Sequence, residues 1–179
     1  MLLKKYNPGW INWFEKIKLE LESGLRFPTC TIEHVGSTAV PNLDAKPIID
    51  IDIVYQQEAD FEKIKRGLMD LGYFHNGNQG IQFREVFKRN GIFRHPVLDS
   101  IPHHLYVCPN NSGPLERHVL FRDFLRKNEW ARTLYQEMKY QLAQQANQDK
   151  KLYAELKELN VNDFIDEIIR QERLSKIQF

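Results

Sequence analysis

The chain has 179 residues, enough for one ordinary domain with a single hydrophobic core. Its hydrophobic content of 42% indicates a globular protein, and a formal net charge of +1 argues against a general nucleic-acid-coating protein, which normally carries a basic excess. The sequence has no apolar window of membrane-spanning length and no signal-peptide pattern. Cys30 and Cys108 lie far apart without metal-ligand spacing, as expected for reduced thiols. We therefore expect a cytoplasmic protein, with neither a membrane nor a nucleic acid as partner.

The first half of the chain alternates helical and strand patterns. Apolar residues recur at helical spacing from Pro8 to about Leu25, and again from Glu58 to Leu71, where Gly72 ends the pattern. Strands are predicted at Thr31–Val35 and in the isoleucine-rich run that ends at Tyr55. A helix between strands is typical of a mixed α/β domain.

The middle of the chain predicts three more strands. Alternating residues around Asn90-Gly91 predict a hairpin with strands at Ile81–Arg89 and Ile92–Pro96. A further strand is predicted at His103–Cys108. Its Leu105 and Val107 should face the core, which would place His104 and Tyr106 on the opposite face.

From Pro114 onward helical spacing dominates. Two helices are predicted around Phe124 and Met138, then a polar break near Asn147–Lys151, a helical pattern from Tyr153 to Leu159 and a last helix with Asn162 as its cap. No linker-like composition separates this part from the rest. We therefore expect one domain over residues 1–179, with an α/β core over about 1–112 and a helical part over about 113–179.

Two aspartates interrupt the isoleucine-rich strand. Because side chains alternate faces along a strand, Ile49, Ile51 and Ile53 point one way and Asp50 and Asp52 the other. Two neighbouring carboxylates resist burial unless a cation lies between them. A divalent metal such as Mg²⁺ or Mn²⁺ suits carboxylate oxygens, whereas a solvated or lysine-paired strand face is the alternative.

A Gly-Ser pair precedes this strand. Gly36 permits a sharp turn, and Ser37 and Thr38 can begin a short helix whose free N–H groups attract anions. A phosphate bound there, with Mg²⁺ bridging it to Asp50 and Asp52, is an arrangement suited to phosphoryl or nucleotidyl transfer. A plain turn without a ligand is the alternative.

Together these motifs resemble the nucleotidyltransferase superfamily, and in detail the GrpB family within it. The similar stretches follow in the same order and span about Glu33 to Leu142: His34-Val35-Gly36-Ser37-Thr38-Ala39-Val40-Pro41, Ala45-Lys46-Pro47-Ile48-Ile49-Asp50, His103-His104-Leu105-Tyr106-Val107, Phe121-Arg122-Asp123-Phe124-Leu125-Arg126, and Tyr135 with Lys139. The resemblance implies a nucleotidyltransferase-like mixed β-sheet flanked by helices. It differs at Tyr106, where the family carries a histidine, and at Asn42, where it more often has glycine.

Nucleotidyl transfer usually uses a third acid on a neighbouring strand, and the strand His103–Cys108 has none. His104 is the best substitute, because a neutral imidazole can ligate a metal or act as a base; a hydrogen-bonded histidine at a strand edge is the alternative. His75, His95 and His118 are interpreted as surface or packing residues.

Several cations are candidates for binding phosphate. Lys46 lies in the turn before the aspartate strand, and Arg122 and Arg126 are four residues apart on one helical face, as Tyr135 and Lys139 are on the next. Arginine offers bidentate geometry to phosphate, although these residues can equally form surface ion pairs. Arg84 is a further candidate.

Two functions from different classes follow. The first is a metal-dependent transfer of a nucleotidyl group from a nucleoside triphosphate to a small molecule or protein. The second is a nucleotide-binding module that has lost its chemistry. Some family members are joined to dephospho-CoA kinase, so the resemblance also implies a link to coenzyme A metabolism.

Overall fold

The computed structural model describes residues 1–25 and 30–177. Its elements in chain order are α1 (Gly9–Leu25), β1 (Cys30–Val35), β2 (Ile49–Tyr55), α2 (Glu58–Asp70), β3 (Tyr73–His75), β4 (Glu85–Arg89), β5 (His103–Pro109), α3 (Gly113–Lys127), α4 (Glu129–Gln145) and α5 (Lys150–Ile177). The strands form one sheet in the order β1-β2-β5-β4-β3. Only β2 and β5 run parallel; the other neighbours are antiparallel.

One face of the sheet carries the larger hydrophobic core. The isoleucines of β2 and the alternate residues Leu105 and Val107 of β5 pack there with the apolar sides of α1 and α2. Their burial follows from the period-two alternation of the strands and the helical period of α1 and α2. The predicted orientation of β5 agrees with this arrangement.

A second core joins the helical part to the N-terminal segment. Leu2 and Leu3, together with Val40 and Leu43 from the loop after β1, pack against α3, α4 and α5. α3 begins at Gly113, where the sequence predicted the change to helix. The assignment of residues 1–179 to a single domain stays a prediction, and residues 178–179 lie outside the described part. Within the described residues, no helix combines the length and apolarity needed to span a bilayer.

The predicted hairpin around Asn90-Gly91 is wrong. β4 pairs with β3 on one edge and with β5 on the other, so neither edge is left for a strand at Ile92–Pro96. β3 is a strand that the sequence analysis missed. Asn90-Gly91 still turns, because Asn90 Oδ1 accepts a hydrogen bond from the Ile92 N–H at 3.0 Å and Gly91 has a φ of +72°.

The predicted helix start at Asn162 is also wrong. α5 runs without a break through Asn162, whose side-chain amide donates to the Glu158 carbonyl one turn earlier at 2.7 Å. Tyr153, Val161 and Ile168 are all buried, so the apolar side of the helix continues past Asn162. The polar stretch before α5 is the true interruption, with Asn147 and Gln148 at positive φ.

Candidate functional site

Asp50 and Asp52 lie on the same face of the interior strand β2, opposite the isoleucine core. β2 is flanked by β1 and β5, and Asp50 and Asp52 are level with His104 and Tyr106 of β5. Asp52 is completely buried and Asp50 is half-buried. One oxygen of Asp52, Oδ1, has no hydrogen-bond partner, although a buried carboxylate oxygen normally requires one.

The Gly36 turn lies directly against Asp50. Gly36 has a φ of +71°, and a Cβ atom at this position would overlap Asp50 Oδ2, so only glycine permits this close approach. The predicted short helix after it is a single 3₁₀ turn, Ser37–Ala39. Three residues are too few for a helix dipole, so any phosphate contact here depends on the Ser37 hydroxyl and local backbone.

Each aspartate is hydrogen-bonded to a histidine. His104 Nδ1 donates to Asp50 Oδ1 at 2.8 Å, and His118 Nδ1 donates to Asp52 Oδ2 at 2.8 Å. In a neutral ring this tautomer leaves the lone pair on Nε2. The two pairs differ in exposure, because the His104 side chain is 54% exposed and the His118 side chain 27%.

The sequence analysis missed His118. It left this residue as surface or packing, although His118 lies on α3 four residues before Arg122 and eight before Arg126. The 118, 122, 126 spacing was the available signal, since such residues share one helical face. Only the approach of α3 to β2 brings His118, rather than an arginine, to Asp52.

A cavity of about 700 Å³ opens beside Asp50, whereas the buried Asp52 does not line it. Gly36, Ser37, Asp50 and His104 line it from the sheet, and the helices contribute His118, Tyr135, Lys139, Tyr153 and Lys157. Among the described residues, neither Arg122 nor Arg126 lines this cavity. The structure thus brings the predicted Gly36, Ser37, Lys46, Asp50, His104 and Lys139 to this cavity, but neither Asp52, which lies buried beside Asp50 on β2, nor the two arginines.

Three lysines in this cavity contact tyrosine rings instead of carboxylates. We call Lys46, Lys139 and Lys157 the lysine cluster. Lys46 Nζ is 4.3 Å from the centroid of Tyr153, and the Nζ atoms of Lys139 and Lys157 are 4.8 and 5.9 Å from that of Tyr135. No member of the cluster forms an ion pair with a described carboxylate.

The positive charges of the cluster act on one another. Burial lowers the pKa of Lys46 and of Lys139, and the nearby Lys157 lowers both further. Lys139 is buried, donates to the Asp44 carbonyl and lies 3.4 Å from Ser37 Oγ. Asp50 partly offsets this effect on the pKa of Lys46, and Tyr135 raises the pKa of Lys157. Because no described carboxylate forms an ion pair with the cluster, an anionic ligand would relieve the desolvation of Lys46 and Lys139 and their repulsion from Lys157.

Arg122 and Arg126 instead lie behind the turn, and we call them the arginine support. Arg122 Nη1 donates to Glu33 Oε2 at 2.7 Å and to the His34 carbonyl at 2.9 Å. Arg126 Nε donates to the Ala39 carbonyl at 2.9 Å. These bonds tie α3 to the chain on both sides of Gly36, so the arginines position the turn from outside the cavity.

His34 lies beneath the Gly36 turn, where it contacts Phe14 and Thr38. Its ring stacks on Phe14 with centroids 4.6 Å apart. Thr38 donates to the Ile48 carbonyl, so its oxygen accepts from His34 Nε2 at 3.1 Å. Burial and then the positive charge of Arg126 lower the pKa of His34 to about 4, which keeps the ring neutral.

The carboxylates fit a magnesium ion that is shared with a ligand. Mg²⁺ in proteins is commonly held by one or two carboxylates plus water and substrate phosphates. Asp50 and Asp52 are two such carboxylates, and the unpartnered Asp52 Oδ1 is an acceptor that a cation would satisfy. Among the described residues, no group of three or more His, Cys, Asp or Glu side chains forms a protein-only metal site.

Two solved structures of low sequence identity share this fold. The structure of Cid1 in complex with its short product ApU has a TM-score of 0.51 at 12% identity and covers 78% of this chain and 42% of Cid1. A cytoplasmic RNA terminal U-transferase has a TM-score of 0.53 at 11% identity, covering 78% and 42%. At such identity the likeness shows the fold alone, and this chain spans less than half of either protein.

The chain belongs to the GrpB family, because the family described as GrpB protein matches residues 1–171. The crystal structure of conserved protein GrpB from Enterococcus faecalis has a TM-score of 0.77 at 29% identity and covers 99% of both chains. A UPF0157 protein of Pseudomonas aeruginosa is 34% identical over 96% of this chain and 69% of that relative. The glutamate-rich protein GrpB of Alkalihalophilus pseudofirmus is 30% identical over 96% and 95%. The predicted family and mixed α/β fold are confirmed, whereas these names give no activity.

Proposed function

We propose that this protein is a magnesium-dependent nucleotidyltransferase that uses a nucleoside triphosphate. One observation carries the proposal: Asp50 and Asp52 share a strand face beside the Gly36 turn, and Asp50 lines a cavity whose lysines have no carboxylate within ion-pair distance among the described residues. Carboxylates for a metal next to cations for phosphates are the components that nucleotidyl transfer needs. The nucleotidyltransferase-like fold supports the same proposal by analogy.

The metal would be held by Asp50 and Asp52. When bound, Mg²⁺ would polarise the reacting phosphate and neutralise charge on the leaving group. The buried Asp52 keeps its orientation through His118, because the Nδ1–H bond fixes both ring and carboxylate. Asp50 is oriented in the same way by His104.

The chain's own residues supply the remaining steps. The lysine cluster and Ser37 would bind the triphosphate, with the arginine support holding the turn in place. An acceptor hydroxyl oxygen would bond to the α-phosphorus while the bond to the bridging oxygen of the β-phosphate breaks and pyrophosphate leaves. His104, in the place of the third acid, has its Nε2 lone pair available to accept the hydroxyl proton. The ammonium groups of the lysine cluster would stabilise the negative charge that develops on pyrophosphate.

A second candidate is a nucleotide-binding module without catalysis. The observation that favours it is the absence of an aspartate or glutamate on β5, where His104 stands instead. Such a module would keep the magnesium and triphosphate contacts and lack turnover. The link to coenzyme A metabolism stays a prediction.

Calorimetry with ATP or GTP and MgCl₂ tests both candidates. Wild-type protein should bind one of these nucleotides, and Asp50→Asn should weaken binding by about tenfold or more, or 1.4 kcal/mol. Asp70→Asn makes the same change at an exposed position at the end of α2 and should bind as wild type does. Melting temperatures of both variants would show whether they fold.

Release of pyrophosphate then separates the enzyme from the module. Magnesium-dependent release by wild type and Asp70→Asn, but not by Asp50→Asn, would support the enzyme. Binding without release over a panel of hydroxyl acceptors would support the module. Absence of nucleotide binding by the folded wild-type protein would contradict both.

A further inference from the structure

A second cavity, of about 540 Å³, adjoins the first. Arg84, His104 and Tyr106 line both cavities. His104 is also the residue bonded to Asp50. A molecule in the second cavity would therefore lie against His104, the residue that is bonded to Asp50 in the first cavity.

The second cavity forms where two strands of the sheet separate. β4 and β5 pair from Glu85–Val107 to Phe87–Leu105 and no further. Beyond that point the two strands no longer pair with each other, and both line the cavity: β4 through Lys88 and Arg89, and β5 through His103 and His104. The volume is within the range of about 300–1,000 Å³ that is typical of small-molecule sites.

The charges that line the second cavity are unevenly paired. Asp99 accepts two hydrogen bonds from Arg89 and one from the His95 N–H, so its charge is matched, and its pKa is lowered by the Arg89 bond. Lys88 forms no ion pair within the described residues. The guanidinium of Arg84 lies 4.7 Å from the Tyr106 ring centroid, and its buried Nε has no hydrogen-bond partner.

His103, one of the two histidines in this lining, is neutral. His103 Nδ1 donates to the Ile101 carbonyl at 2.7 Å, so its Nε2 accepts from the Tyr73 hydroxyl at 2.5 Å. Burial lowers the pKa of His103. Both ring nitrogens of His103 are thus satisfied within the protein. The buried Nε–H of Arg84 lacks a partner that an anion would supply, and the exposed Lys88 adds a second positive charge to the same lining.

We propose that the second cavity is the acceptor site and takes a small anionic molecule that also carries a hydroxyl group. Arg84 and Lys88 bind its phosphate or carboxylate, and the hydroxyl is directed past His104 toward Asp50. This inference rests on the proposed function, because the hydroxyl oxygen is the atom that would bond to the α-phosphorus as pyrophosphate leaves. Phe87, Leu98 and Leu105 give the cavity apolar walls, which suit a compact acceptor.

Backbone amide NMR of the ¹⁵N-labelled full chain tests this assignment. The first cavity is filled with the non-hydrolysable ATP analogue AMPCPP and MgCl₂, and glycerol 3-phosphate, glycerate or glycerol is then titrated. Either anion, but not neutral glycerol, should shift the amides of Val86, Lys88, Leu98 and His103. The comparison of glycerol 3-phosphate with glycerate distinguishes phosphate from carboxylate.

Three variants make the test specific. Arg84→Gln and Lys88→Gln should each weaken binding of the anion about tenfold, whereas Arg66→Gln, an exposed arginine on α2 outside both cavities, should not. Lys88 lines only the second cavity, so Lys88→Gln should leave the affinity for AMPCPP unchanged. Because Lys88 is exposed, this variant should fold normally.

The outcomes separate this inference from the proposed function. Shifts confined to the first cavity, no shifts from either anion, or shifts that persist in both variants would overturn the acceptor site even if AMPCPP binds. If the folded protein binds neither ATP nor GTP, the proposed function fails, and the acceptor role fails with it even where the anion still occupies the second cavity in a Lys88-dependent way. If it binds GTP alone, the titration is repeated with the corresponding GTP analogue.

Discussion

The lysine cluster and the arginine support lie on opposite sides of the Gly36 turn. The two groups differ in whether their positive charges have carboxylate partners within the protein. Arg122 and Arg126 are matched by Glu33, Asp123 and two backbone carbonyls. Lys46 and Lys139 lie against tyrosine rings and have no carboxylate partner among the described residues. A matched cation stabilises the protein, whereas an unmatched one costs stability until a ligand arrives. The difference indicates which side of the turn binds phosphate.

The largest expected effects come from replacing one cation on each side of the Gly36 turn and comparing the change in nucleotide affinity with the change in the free energy of unfolding. Lys139→Met should lower the affinity for magnesium–ATP by about 100-fold or more, because it removes the most deeply buried cation of the cavity. Its free energy of unfolding should stay within about 1 kcal/mol of wild type, since an apolar side chain of similar length replaces a buried charge. Calorimetry and urea unfolding measure the two effects.

Arg122→Met should show the opposite pattern. It leaves Glu33 and the His34 carbonyl without their donor, so the free energy of unfolding should fall by about 2 kcal/mol. Nucleotide affinity should fall by less than in Lys139→Met. A stable Arg122→Met protein that no longer binds nucleotide would show that the arginines, and not the lysines, contact the phosphates.

Lowering the pH should decrease the free energy of unfolding through His34, which lies on the arginine side of the Gly36 turn. The pKa of His34 is about 4 in the folded protein, against an ordinary value of 6.5. Between these values the unfolded chain binds a proton that the folded chain excludes, so stability falls as pH falls from 6.5 toward 4. The full effect is up to about 3 kcal/mol. Urea unfolding of wild type and His34→Gln over this range should show a shallower pH dependence in the variant.

The arginine support contributes to this pKa. Arg126 lowers the pKa of His34 through its charge, after burial. In Arg126→Gln the pKa of His34, followed by NMR titration of its ring, should move upward toward 6.5. A pKa that does not change would show that Arg126 has no electrostatic effect on the residue beneath the turn.

The smallest expected change in the free energy of unfolding is at Asn42, which lies between the Gly36 turn and β2. Asn42 has a φ of +62°, a left-handed conformation that glycine and asparagine tolerate best. Asn42→Gly should therefore change the free energy of unfolding by no more than about 0.5 kcal/mol, whereas Asn42→Ala should lower it by about 1 kcal/mol. Equal stability of the two variants in thermal unfolding would contradict this reading of the turn.

Local patterns were enough to predict the part of the site that lies on one strand. The shared face of Asp50 and Asp52 follows from alternation along β2, and Gly36 before them marks the turn. The structure agrees with both, because neither depends on which elements become neighbours. The roles of Asp50, Asp52 and His104 in catalysis, and of Mg²⁺, stay predictions.

Which distant residues meet depends on how whole elements pack. The face of each strand residue and most helix positions follow from the sequence alone, because these depend on residues a few positions apart. The sequence did not reveal that β4 pairs with β3, that Arg122 supports the turn, or that His118 bonds Asp52 across 66 positions of sequence. Such contacts arise when whole elements pack together, and no local periodicity encodes which surfaces will face each other.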